Sequence, residues 1–299
     1  MSMLRRMGEL ARVDLDLLPR EPRYRPLTKA AWYGRRLPVG LGIGTLAGVA
    51  SVAIHPMAMW ATLVGVFGYS IARRRKIASA ARANMDGLAM LMAGELVSAA
   101  EAFERLCEES RGSPSLHSLT VCNRAAVFLE SGEPERAAGL LWAALHAGWI
   151  GPQGTLSPYY PSVAGRLAMA EALRGRLDEA QSWRARAHAA TSVAKHGMHL
   201  LTDVVVEARA GNDENVLSLV SQGWERAENL HSARQLRQVR LVEAFALERL
   251  RAGEYRGVSR ETDSVRAVEA ARSSTPGQFV VLTRPWDAVA RFAERHGIR

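Results

Sequence analysis

The longest uncharged run constrains this chain more than anything else in it. From Val39 to Ala72 there are 34 residues without an Asp, Glu, Lys or Arg. One straight helix of that length would extend about 51 Å at a rise of about 1.5 Å per residue. The hydrocarbon core of a bilayer is only about 30 Å thick. His55 and Pro56 divide the run at its middle, and a proline interrupts a helix because it lacks a donor and clashes with the preceding turn. The spacing therefore predicts a transmembrane helical hairpin, 39–54 and 57–72, with 16 residues in each arm. Arms that short need a locally thinned bilayer or help from the apolar flanks Leu37 and Ile77.

Charge orients the hairpin. Arg35 and Arg36 precede the run, and Arg73, Arg74, Arg75 and Lys76 follow it. Basic flanks stay on the cytoplasmic side. The expectation is a multi-pass protein of the cell (inner) membrane with both termini cytoplasmic. A two-pass or re-entrant hairpin satisfies this; a single pass, with the remainder of the chain outside the cytoplasm, does not. Trp32, Tyr33 and Tyr69 sit where interfacial aromatic anchors belong. Gly40, Gly44 and Gly48 recur every four residues, so they share a helix face that Gly65 and Gly68 could meet at close range. The same glycines brush against a dinucleotide fingerprint, but no strand precedes them and no acidic residue follows at the required distance.

The chain carries a net charge of +9 over 299 residues. That excess is local: residues 1–38 and 73–82 contribute +5 each, whereas 83–299 sum to −1. The positive charge thus belongs to the membrane flanks, where it would meet anionic lipid head groups. A balanced remainder argues against a nucleic-acid partner. Cys107 and Cys122 are the two cysteines; they have no metal-type spacing and read as reduced, buried thiols. Arginine far outnumbers lysine, a compositional mark of a GC-rich bacterial genome.

Residues 1–38 form a basic lead. Leu4, Met7, Ala11, Leu15 and Leu18 keep a helical period up to Pro19, which suits an amphipathic helix on the membrane surface or one packed on the following domain. A secretory signal is not expected, because the apolar run starts too late and is too long. Arg20 to Pro26 reads as a proline-broken linker.

Beyond the basic segment 73–82, residues 83–271 read as helices rich in Ala, Leu, Arg and Glu. A phrase recurs there: GELVSA from Gly94, GEPERA from Gly132, GRLDEA from Gly175, GNDENV from Gly211 and GEYRGV from Gly253. The glycines are 38, 43, 36 and 42 residues apart. Glycine ends one helix in a left-handed turn, acidic residues favour the start of the next, and the small residue five positions on lets the two helices touch.

At these residues the chain resembles the tetratricopeptide repeat family, a helix–turn–helix unit of about 34 residues. The closest unit is Val121 to Leu145, with Phe128, Gly132, Ala137, Leu141 and Ala144 in register. The preceding unit has Gly87, Gly94, Ala99 and Phe103, and the third has Ala168, Gly175, Ala180 and Ala187. Val216 and Val258 stand where alanine is usual in the last two, the terminal proline of the family pattern is absent, and the spacings exceed 34. The resemblance spans residues 80–270 and implies an all-α solenoid of about five helix pairs. Stacked pairs share one core and offer a concave face. It also implies protein binding without catalysis. One branch of the family clamps a terminal carboxylate with Lys and Asn on that face. In the best-matched unit the inward positions are Leu119, Cys122, Ala126 and Leu129, all apolar, so that clamp is not expected.

Other partner-binding candidates follow from composition. Trp149, Tyr159 and Tyr160 lie on the Gly- and Pro-rich stretch 148–161, and loop aromatics serve as anchors. Arg234, Arg237 and Arg240 share a helix face and could hold an acidic peptide. His196, His199 and Asp203 fall short of the donor set that a metal requires. No nucleophile triad, phosphate loop or carboxylate pair is readable, so neither a cofactor nor an enzyme activity is expected. Residues 272–299 read as a linker and a helix, Trp286 to Glu294, that covers the open end of the stack.

The sequence thus predicts a membrane-anchored scaffold or adaptor that binds a protein partner at the membrane surface. The alternative is a structural membrane protein. Its hairpin and amphipathic helix would shape or cluster the bilayer while the repeats self-assemble into a homo-oligomer.

Overall fold

The computed structural model describes residues 18–34, 56–252, 260–272 and 277–298, and every regular element among them is helical. Ten helices run in chain order as α1 (Pro56–Ala93), α2 (Leu96–Glu109), α3 (Pro114–Glu130), α4 (Pro134–His146), α5 (Tyr160–Leu173), α6 (Leu177–Ala189), α7 (Leu200–Ala210), α8 (Asp213–Glu228), α9 (Ala233–Ala252) and α10 (Arg260–Ala271). A one-turn helix α11 (Val280–Thr283) and α12 (Asp287–Arg295) follow.

Four turns between paired helices are built alike. Gly94, Gly132, Gly175 and Gly211 have φ of 86°, 71°, 81° and 83°. Each glycine N–H bonds the carbonyl three residues back, and the next N–H bonds the carbonyl five residues back. Examples are Gly132 to Leu129 and Glu133 to Phe128, both 2.9 Å. These paired bonds close the ends of α1, α3, α5 and α7, where carbonyls would otherwise lack donors. The next helix starts two residues later, with Glu135, Asp178 and Glu179, and Asp213 and Glu214 in the first turns of α4, α6 and α8. The small residue five positions after each glycine is Ala99, Ala137, Ala180 or Val216, and all four are fully buried. The recurring phrase is therefore the hinge of a tight helical hairpin. Helices α1 to α8 form four such pairs and α9 packs on α10 as a fifth, whose expected turn at Gly253 to Val258 lies outside the described residues; the odd-numbered helices adjoin one another from pair to pair.

The first hairpin differs from the expectation at its start. Pro56 begins α1, at a position where a proline ring is tolerated. The helix then continues through Arg73–Lys76 for 38 residues, about 57 Å. The expected end at Ala72 and a separate basic segment 73–82 are not seen, because no proline or glycine there interrupts the ladder. Phe67, Ile71 and Ile77 are exposed on this half of α1, as are Arg74 and Arg75. Packing begins near Ala80 and Ala83, where α1 meets Ala99, Phe103 and Leu106 of α2. Among the described residues no helix is long and apolar enough to cross a membrane. The other expected arm, 39–54, lies outside the described residues, as do Gly40, Gly44, Gly48, Arg35, Arg36 and the segment 1–17. Gly68 has open space around it.

Two further segments pack more closely than their composition suggests. Tyr24, in the stretch 20–26 read as a linker, is buried, and just beyond it Lys29 N–H bonds the Ala147 carbonyl at 2.8 Å and Trp149 Nε1–H bonds the Leu27 carbonyl at 2.8 Å. At the other end, Phe245 of α9 meets Trp286 and Phe292 edge-on at 5.3 and 5.6 Å. The same segment also reaches back to the α3–α4 turn, where Arg284 Nη1 donates to the Ser131 carbonyl at 3.0 Å. The C-terminal part therefore joins the fifth hairpin to the second instead of only covering the last one.

Candidate functional site

The odd-numbered helices converge on one cavity of about 270 Å³. Its apolar walls include Leu91 of α1, Leu129 of α3, Met169 of α5 and Met198 just before α7. Met92 and Leu230, 60% and 44% exposed, stand at its rim. The formally charged groups lining it are Glu130, Arg166 and Arg234, and two histidines, His199 and His231, complete its polar side.

Glu130 ends α3 and is held by two partners from α9. Arg234 Nε lies 3.2 Å from its carboxylate, and Gln238 Nε2 donates to it at 3.3 Å. Burial raises the Glu130 pKa, although Arg234, Gln238 and Arg166 act against the rise. Arg166 lies in α5 and faces a different situation. Among the described residues it makes no hydrogen bond and has no carboxylate within ion-pair distance. It keeps some accessible surface, yet it sits deep enough that desolvation pulls its pKa below the ordinary arginine value, with only Cys122 and Glu130 opposing.

The histidines form a cluster on the α7 side. The His188 ring lies 5.1 Å from His196 and 5.0 Å from His199. His188 bonds Asp203 at 2.9 Å, which raises its pKa. His199 Nε2 is 2.9 Å from the Thr191 hydroxyl, and burial, then the neighbouring histidines, push its pKa down to about 4. His231 Nε2 lies 3.0 Å from the Gly197 carbonyl, and burial lowers its pKa. Both cavity histidines are therefore neutral at pH 7. Among the described residues no group of three His, Cys, Asp or Glu side chains is arranged to hold a metal ion.

The residues singled out from sequence separate into distinct places. Ala126 and Leu129 line the cavity. Leu119 is half-buried, and Cys122 is fully buried, its thiol pushed up to about 12 by burial. Trp149 is buried against the 18–34 segment, Tyr160 is buried at the start of α5, and Tyr159 is exposed. Arg234 and Arg237 reach the chain's own 277–278 turn, Arg234 Nη2 to the Gly277 carbonyl at 3.5 Å and Arg237 Nη1 to Gln278 at 3.3 Å. Arg240 pairs with Glu243 at 2.7 Å and lies over the Trp224 ring. Sequence reasoning missed Glu130, Arg166, His199 and His231 as parts of one site. The available signal was Arg166 itself, the one charge between Tyr160 and Ala170 in an otherwise apolar helix.

No family model, no curated protein and no solved structure matches this chain.

Proposed function

We propose that this chain is a non-catalytic, membrane-attached scaffold of tetratricopeptide-like construction, which holds a segment of a protein partner in the cavity between its odd-numbered helices. One observation carries the reading: every hairpin turns part of its first helix toward that shared space. Such a space mixes Leu and Met walls with a few polar groups, as recognition sites do. Cys107 and Cys122 have thiols pushed to about 12 by burial, which suits packing and not nucleophilic chemistry. Attachment is supported by the unpacked half of α1, whose exposed Phe67, Ile71 and Ile77 flank Arg74 and Arg75. The uncharged run leading into it suits a hairpin in the inner membrane, with the hairpin stack in the cytoplasm.

Site-specific photocrosslinking in native membranes tests the reading. A benzophenone side chain replaces Met92 at the cavity rim or, as a control, the exposed Gln181 of α6. A discrete heterologous product from position 92 and none from 181 is expected. Equal labelling at both positions, or recovery of the chain in the soluble fraction, would refute it.

A further inference from the structure

Among the described residues Arg166 is a cation without a counter-ion. The carboxylate nearest in effect, Glu130, is already engaged by Arg234 and Gln238. Enclosing a charge without a partner is unfavourable. The neighbouring Arg234 is already committed: its buried Nε lies 3.2 Å from the Glu130 oxygen, and its Nη2 donates to the Gly277 carbonyl. Among the described residues, Arg166 thus borders the empty space with its guanidinium donors uncommitted.

The charge count selects the ligand. Arg234 is spent on Glu130 at 3.2 Å and both cavity histidines are neutral, so Arg166 is the charge of the lining left unpaired among the described residues. One monoanion balances that. A phosphate dianion would overshoot it and meet Glu130 besides, and an ammonium group would add to the excess. Met92 and Leu230 at the rim and Met169 in the wall provide apolar contacts beside the charge.

We propose that Arg166 is the counter-ion for a single side-chain carboxylate of the partner segment, so that the cavity selects a glutamate or aspartate set between apolar residues. The inference rests on the scaffold reading for the source of the acid.

The test uses the full chain in nanodiscs and three blocked tripeptides, N-acetyl-Leu-Glu-Leu-amide and its glutamine and phosphoserine counterparts, followed by calorimetry and by the arginine Nε–H resonances. Saturable binding of the glutamate probe is expected, at least about tenfold tighter than either counterpart, with one arginine resonance shifted. Arg166→Met should bring the glutamate and glutamine probes to equal affinity, and Arg166→Lys should keep part of the difference. Far-UV circular dichroism establishes that both variants fold. Equal binding of glutamate and glutamine probes, tighter binding of phosphoserine, or a preference that survives Arg166→Met would each overturn the proposal. So would a glutamine probe with a free C-terminus that binds as well as the glutamate amide. Crosslinking from position 92 separates this inference from the reading beneath it. A product undiminished by Arg166→Met overturns the carboxylate assignment and leaves the scaffold standing. Glutamate selectivity without any product removes the scaffold and, with it, the peptide as source.

Discussion

The link between the C-terminal segment and the second hairpin can be tested with one methyl group. Gly132 has φ of +71°, and a Cβ there would come within 2.6 Å of the Val280 carbonyl oxygen and 2.7 Å of Arg284 Cβ. Gly211 has a matching φ of +83°, but a Cβ there would meet nothing within 4 Å. Alanine at either position bears the left-handed backbone penalty, about 1 kcal/mol. Only at 132 must α11 also move, because the obstructing atom is backbone and cannot rotate away; overpacking of this kind costs about 1–3 kcal/mol more. Urea denaturation of the two variants, followed by far-UV circular dichroism, should therefore give losses of about 1 kcal/mol for Gly211→Ala and about 2–4 kcal/mol for Gly132→Ala. In thermal melts this is roughly 2–4 °C for the first in a unit of this size, and two to four times as much for the second. Limited proteolysis should cut after α10 faster in Gly132→Ala alone. Equal losses in the two variants would refute the reasoning, since they would mean that α11 does not rest on the α3–α4 turn.

Other consequences follow from the buried polar groups. His199 is held neutral with a pKa near 4, so the unfolded chain takes up a proton from about pH 6.5 downward that the folded chain refuses. Stability should fall by at most about 3 kcal/mol as pH drops from 6.5 to 4, and His199→Gln should flatten that slope in melts against pH. His188 runs the opposite way: its bond to Asp203 raises its pKa, so its contribution is complete below pH 6.5 and disappears as pH rises through the raised value, which His188→Gln should abolish. Glu171 is buried and accepts from Trp142 Nε1 at 3.3 Å and from Arg174 at 2.6 Å; Glu171→Leu leaves both donors stranded and should cost about 3–5 kcal/mol in chemical denaturation. Cys107 and Cys122, buried with thiols near 12, should resist a disulfide reagent in the native chain at pH 8 and react at once in denaturant.

What could be read from the residues follows from how far each feature reaches along the chain. The hairpin turns were legible because glycine, acid and small residue act within six positions: a left-handed turn, a helix start and a close approach all leave their mark locally. The uncharged run was legible as composition, yet its second arm continues as one helix through Arg73–Lys76, because arginine and lysine are good helix formers and mark a boundary only by charge. Arg234 and Arg237 show the opposite case. Their shared face was visible, but not its occupant, the 277–278 turn more than 40 residues away. The cavity was hidden for the same reason. Glu130, Arg166 and Arg234 come from three helices and His199 from the turn just before α7, and no local rule sets their distances. Each of the first four hairpins has its own turn and its own small-residue contact, and neither uses Arg166. Arg166, which makes no hydrogen bond or ion pair among the described residues and sits where all the first helices meet, is better explained by something the stack holds than by the stack itself. Arg166 is thereby tied to a ligand, with a second consequence that can fail. If the charge serves binding and not folding, Arg166→Met should leave the thermal midpoint of the empty protein unchanged or raise it by a few degrees. A midpoint that falls by 5 °C or more would make Arg166 a structural residue and remove the reason to place an acid beside it.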